Sequence, residues 1–403
     1  MTRLEPTAPR ERWLVLDVLR GFALFGVLLG NLYNLYTGRW LTTVGVRPPV
    51  DTAGIDSAAR WFMQLVVEGR AQTLLTFLFG LGFAMQLLRA DARGEGVLGL
   101  YLRRMCALFA IGAMHMTLLW WGDVTWGYAI AGLALLPLRR ASRRTLAIVA
   151  IACLVANVAC HAIPDNWFAL DDLIFGDHCF ARLNAAMEAI AYHGSDHIAL
   201  AHAQIAQGVM WTLMGSGAYM LWLVGRFVIG YIAGLARVFD RDGADHVTLF
   251  RRLAIGCGAI TACTLTVSIL RLSGVLAAPT SQWIGNLYAV VDELGLLAQT
   301  AFYVACTVLL LRTRARRMLA IIGPVGRMPL TTYISQSVIC TGLFYGWGLH
   351  WAMPGDAATL GLAVIIFAIQ IAIAHLWLRH YRFGPLEWVW RAVVYLERPR
   401  MRI

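Results

Sequence analysis

Residues 357–378 read AATLGLAVIIFAIQIAIAHLWL. The run contains no arginine, aspartate or glutamate. As a helix rising about 1.5 Å per residue it reaches roughly 33 Å, the thickness of a bilayer's hydrocarbon core. It reads as a membrane span. The same window moved outward finds further apolar runs near 18–36, 70–88, 104–121, 125–138, 145–163, 209–236, 252–270, 285–311 and 330–349. The run at 125–138 is short. The expected fold class is all-α, a polytopic transmembrane helical bundle of about ten spans.

Composition agrees. The 403 residues are 59% hydrophobic and 14% charged, with mean hydropathy +0.64, whereas a soluble domain carries about 25% charge to cover its surface. The bilayer is therefore the expected partner. All 34 basic residues are arginine, which excludes Schiff-base, lysine-base and phosphate-loop lysine chemistry. The net charge of +11 does not point to nucleic acid, because the arginines recur in short clusters between apolar runs. Assigned to alternate loops, 26 of them fall on one side and six on the other (Arg39, Arg47, Arg60, Arg70, Arg182 and Arg271). By the positive-inside rule both termini are cytoplasmic, and the expected location is a bacterial inner membrane. Asp17 and Arg20 interrupt the first apolar run, so it is not expected to be a cleaved signal.

Three regions are expected: a membrane region over 1–163, an outer loop over 164–208, and a second membrane region over 209–403. The outer loop is acidic and histidine-rich, with Asp165, Asp171, Asp172, Asp177, His178, His193, Asp196, His197 and His202. His193 and His197 stand one helical turn apart, yet the spacing matches no catalytic zinc pattern and no metal site is assigned. Cys160 and Cys179 both fall on the oxidising side, which leaves a disulfide open. The other cysteines are scattered, with no C-x-x-C.

Ionisable groups inside spans are costly, which makes them informative. Arg226 lies about 15 Å deep in its span and reads either as half of a structural ion pair or as an anion contact. His115 is followed eight residues later by Asp123, past Trp120-Trp121-Gly122, so a carboxylate could orient a histidine base there. The bland alternative is a packed histidine. Asp292 and Glu293 sit in the eighth run, where one could pair with Arg271 or line a cavity. Asp17 and Arg20, at i,i+3, can bridge.

Longer motifs carry a resemblance. The opening reads Arg12-x-x-x-Leu16-Asp17-x-Leu19-Arg20-Gly21, with Asn31 beyond it. Then come Phe79-Gly80-Leu81-Gly82, Arg103-Arg104, Gly112 with His115, and Gly122-Asp123 with Tyr128. Near the C-terminus stand Gly326-Arg327-Met328-Pro329-Leu330-Thr331-x-Tyr333-x-x-Gln336-Ser337 and Phe383-Gly384-Pro385-Leu386-Glu387-Trp388-x-Trp390-Arg391. Together they resemble the YeiB-type bacterial membrane proteins, whose C-terminal half is catalogued as domain of unknown function 418. The opening motif is also similar to transmembrane acyltransferases, including the heparan-α-glucosaminide N-acetyltransferases, which are thought to carry an acyl group from cytoplasmic acyl-CoA to an acceptor across the membrane. That group has a catalytic histidine eleven residues after the asparagine. Thr42 stands there in this chain, which leaves His115 as the substitute candidate.

Two functions follow as expectations. As an acyltransferase, the chain would use His115 as base, Asp123 to orient it and Asn31 as oxyanion donor. Arg20, Arg226 and Arg327, with Asp17 nearby, would hold an acyl-CoA co-substrate, and no permanently bound cofactor is implied. The acceptor would be an envelope glycan, lipid or small metabolite. As a transporter of an anionic metabolite, it would use Arg226 as counter-charge and Asp292 or Glu293 as proton site. Homo-oligomerisation is left open.

Overall fold

The computed structural model describes residues 13–48, 53–92, 97–161, 179–276 and 281–403. Among them the chain is helical, with no strand beyond a lone bridge between Tyr381 and Arg402. The principal helices are α1 (Leu14–Asn31), α2 (Arg70–Ala92), α3 (Val97–Leu118), α4 (Thr125–Leu133), α5 (Arg143–His161) and α6 (Cys179–Met187). They continue as α7 (His197–Leu235), α8 (Val247–Leu272), α9 (Gln282–Leu310), α10 (Pro329–Phe344), α11 (Asp356–His380) and α12 (Pro385–Tyr395). Each of the ten apolar windows overlaps one of these helices, and seven helical segments among the described residues are long and apolar enough to cross a membrane. This is an all-α polytopic membrane bundle.

Its surface shows which solvent it was built for. Ile255 and Ile260 on α8, and Ile365 and Ile373 on α11, are exposed. On a water-soluble protein such bands would form one continuous sticky patch. Here lipid covers them.

Close approach of backbones organises the centre. A Cβ at Gly80 on α2 would collide with the Phe227 carbonyl on α7, and one at Gly230 with the Phe77 carbonyl. Only glycine allows this crossing. Phe79, Phe83, Tyr128, Phe227 and Tyr231 then fill the space around it.

α7 is longer than the span read over 209–236. It runs 39 residues, about 58 Å, well beyond a hydrocarbon core of about 30 Å. It starts at His197, inside the segment read as an outer loop, because the Asp196 side chain caps it by accepting the N–H groups of Ile198 and Ala199. A hydropathy window does not detect a polar helical extension. The loop residues Asp165, Asp171, Asp172, Asp177 and His178 lie outside the described residues.

Candidate active site

The site is assembled where α3 turns back into α4. A Cβ at Gly112 would press on the Thr125 hydroxyl and the Trp126 amide, so the bare glycine lets the start of α4 sit against α3. That brings Asp123 under His115. Asp123 accepts hydrogen bonds from the Thr125 N–H (2.8 Å), the Thr125 hydroxyl (2.8 Å) and the Trp126 N–H (3.2 Å), at the helix end that favours negative charge. Its other oxygen lies 2.7 Å from His115 Nδ1. A carboxylate only accepts, so Nδ1 carries a proton, which in the neutral imidazole places the lone pair on Nε2. Nε2 is buried without a hydrogen-bond partner. The imidazole is 3% exposed, with the rings of Tyr333 at 5.3 Å and Trp120 at 6.3 Å.

Beside this dyad lies a cavity of about 380 Å³. His115 and Asp123 are not among its lining residues, but their neighbours Val124, Thr125 and Tyr333 are, together with Tyr128 and the apolar Leu75, Leu78, Phe79 and Leu108. Five arginines also line it: Arg20, Arg89, Arg104, Arg327 and Arg391, with Asp17 and Glu387 as acidic neighbours. His115 is eleven residues further along α3 than Arg104, roughly 16 Å. An extended pantetheine arm is of comparable length.

Packing sets these arginines in place. Gly326 abuts the Asp17 carbonyl so closely that no side chain would fit, which holds Arg327 against the start of α1. Arg327 Nε is buried without a hydrogen-bond partner. Arg20 pairs with Asp17 at 3.2 Å, the i,i+3 bridge expected from sequence. Arg104 lies over the Trp390 ring, 5.0 Å from its centroid. Glu387 binds α12 across the start of α10, accepting from the N–H groups of Leu330 (2.6 Å) and Thr331 (3.0 Å) and from the Thr331 hydroxyl (2.5 Å). Burial pushes its carboxyl above the usual carboxylate range, while those hydrogen bonds pull the other way.

The other residues singled out from sequence lie elsewhere. Arg226 does not line the cavity. Its Nη2 donates to both oxygens of Glu293 (2.7 and 2.9 Å), Nε to the Thr73 hydroxyl (3.1 Å) and Nη1 to the Trp222 carbonyl (3.2 Å). The guanidinium also lies 3.9 Å from the Trp222 ring centroid. Asp292 pairs with Arg271 at 2.9 Å. Asn31 is buried at the end of α1 and is not among the cavity-lining residues. Thr42 donates to the Arg39 carbonyl at 2.8 Å. His193 contacts Glu188 at 3.1 Å and His197 packs near Trp347. Among the described residues no group of three ligating side chains gathers for a metal. The Cys179 side chain of the mooted disulfide lies outside the described residues. Arg104, Tyr333, Glu387 and Arg391 stood in the quoted motifs without a role, and Arg89 only in the arginine count.

Comparison with known proteins agrees with the motifs. A family model described as protein of unknown function (DUF418) matches residues 233–397. The uncharacterized protein YxaH of Bacillus subtilis is 30% identical, covering 98% of both chains. The chain belongs to the YeiB-type family. The uncharacterized protein YeiB of Escherichia coli is 29% identical, covering 94% of this chain and 96% of its own. An uncharacterized 39.9 kDa protein in the amylase 3' region of Bacillus acidopullulyticus is 28% identical, with 97% and 96% covered. These YeiB-type relatives align along nearly the whole length.

Proposed function

We propose that this YeiB-type protein is a membrane acyltransferase, taking an acyl thioester of the acyl-CoA class and delivering the acyl group to a hydroxyl or amine acceptor at His115. The observation that carries the reading is one cavity lined both by five arginines and by Val124, Thr125 and Tyr333, the neighbours of the His115–Asp123 dyad. Arginines hold phosphates by charge-assisted hydrogen bonds. The apolar lining residues suit a pantetheine arm and acyl chain. His115 Nε2, left without a partner while Nδ1 holds Asp123, would take the acceptor's proton and return it to the leaving thiol. In this reading the bundle has about ten spans with both termini in the cytoplasm of a bacterial inner membrane, as the 26-to-6 arginine split favours. The arginine mouth then faces the cytoplasmic acyl-CoA, and the acceptor is an envelope or small-molecule nucleophile.

The test is thermal stabilisation of the detergent-purified protein by acetyl-CoA and longer acyl-CoAs. Saturable stabilisation, weakened in Arg327→Ala and Arg104→Ala, is expected. No shift with any thioester would end the reading.

Transport of a small anion is the second reading, favoured by the intramembrane Arg226–Glu293 pair. It requires that pair to open for the substrate. Flux of small carboxylates or phosphates that ignores Arg226→Ala would remove it.

A further inference from the structure

An acyl transfer needs more than a base. As the nucleophile adds, the thioester carbonyl oxygen becomes an oxyanion, and a donor must already be waiting for it. Neither Asn31 nor the dyad itself lines the cavity. Tyr333 does, beside Val124 and Thr125, and three further observations single it out. Its ring lies 5.3 Å from that of His115. The residue is 5% exposed. Its buried hydroxyl makes no side-chain hydrogen bond, and the Val124 backbone N–H faces its oxygen, which leaves the O–H itself as a donor.

The surroundings hold the ring firmly. Glu387 ties down the first turn of α10 through Leu330 and Thr331. One turn beyond Tyr333, Ser337 is 2.7 Å from the hydroxyl of Tyr36, which packs on Trp120. The α10 face that carries Tyr333 is thus pinned on both sides of the dyad's wall.

We propose that Tyr333 is a catalytic residue of the acyl transfer, its hydroxyl donating to the thioester carbonyl oxygen while His115 acts on the acceptor. The proposal rests on the acyltransferase reading above. The acceptor's O–H or N–H passes its proton to His115 Nε2 as its lone pair forms a bond to the carbonyl carbon. The C=O pair moves onto oxygen, where the Tyr333 O–H meets it. The carbonyl re-forms, the C–S bond breaks, and the sulfur leaves with the proton from His115. The products are an ester or amide and a free thiol, and Tyr333 ends with its own proton.

The experiment measures thiol released from acetyl-CoA by the full-length protein in detergent, with water as surrogate acceptor, for wild type, Tyr333→Phe and His115→Ala. For Tyr333→Phe, kcat is expected to fall about 10²-fold. The KM for acetyl-CoA and the melting temperature stay near wild type, and the residual rate keeps the pH limb that His115→Ala abolishes. Difluorotyrosine at position 333 gives a second measure that leaves the fold untouched: a more acidic phenol changes kcat, whereas a packing role leaves it alone. Unchanged kcat in both variants, or a rise in KM alone, overturns the Tyr333 assignment and leaves the acyltransferase reading standing. Wild type that neither binds acetyl-CoA nor releases thiol overturns both.

Discussion

Arg226 and His115 both lie on apolar helices, both are buried, and both are groups a bilayer tolerates poorly, yet their surroundings differ. Each guanidinium nitrogen of Arg226 has a partner, drawn from α2, α9 and its own helix. His115 is satisfied on one nitrogen only, and the other is left bare near a cavity lined by Tyr333, whose hydroxyl makes no side-chain hydrogen bond. A closed charge network joins helices. An unfinished one beside a cavity can engage a ligand. Which group is completed therefore separates architecture from chemistry better than depth in the span does.

The largest effect expected is on catalysis. His115→Ala should lower acetyl-CoA turnover about 10²–10⁴-fold with little change in melting temperature. A collapse of the fold would instead class His115 with Arg226. Arg226→Ala should do the reverse, costing about 3–5 kcal/mol by leaving Glu293 buried and unpaired. Replacing both by well-packed apolar residues should restore much of that stability, as thermal or denaturant unfolding would read. If Arg226→Ala is as stable as wild type, the contrast between the two regions breaks.

Arg327→Ala sharpens the comparison further. Losing a charge-assisted contact worth about 1.5–3 kcal/mol should weaken acyl-CoA binding roughly 10- to 100-fold without destabilising the apo protein. The same arginine contacts should make binding fall with added salt, which a titration at two ionic strengths would show. Equal loss of affinity and stability would mean that Arg327 is structural.

The smallest effect concerns Glu387. Its folded carboxyl is raised by burial, so the folded state binds the proton more tightly than the unfolded chain does. The resulting stability is fully present below the unfolded carboxylate value of about 4.3 and is lost as pH rises through the folded value. Melting temperature should therefore decline with pH through that window in wild type and more weakly in Glu387→Gln. Parallel pH curves for the two proteins would show that Glu387 carries no such linkage.

Local patterns made part of this visible beforehand. Apolar windows marked each run as helical, since a span's hydropathy is a property of consecutive residues. The Asp17–Arg20 bridge followed from i,i+3 geometry, and the His115–Asp123 contact spans only eight residues. The Arg271–Asp292 pair joins neighbouring helices. By contrast, Glu293 is 67 residues from Arg226. The helices supplying Arg20, Arg104, Arg327 and Arg391 to one cavity span most of the chain.

By itself the sequence determined the solvent, the helical class and the unequal distribution of arginines, because composition and short-range periodicity decide what a lipid phase accepts. Only the tertiary structure decided which charges meet. Glycine contacts at Gly80, Gly112 and Gly326 draw helices together closely enough to close the Arg226 network. The same approaches gather the cavity's arginines and set Tyr333 in its lining beside His115, whose Nε2 keeps no partner. Those partners are chosen by distance in space, which separation along the chain does not encode.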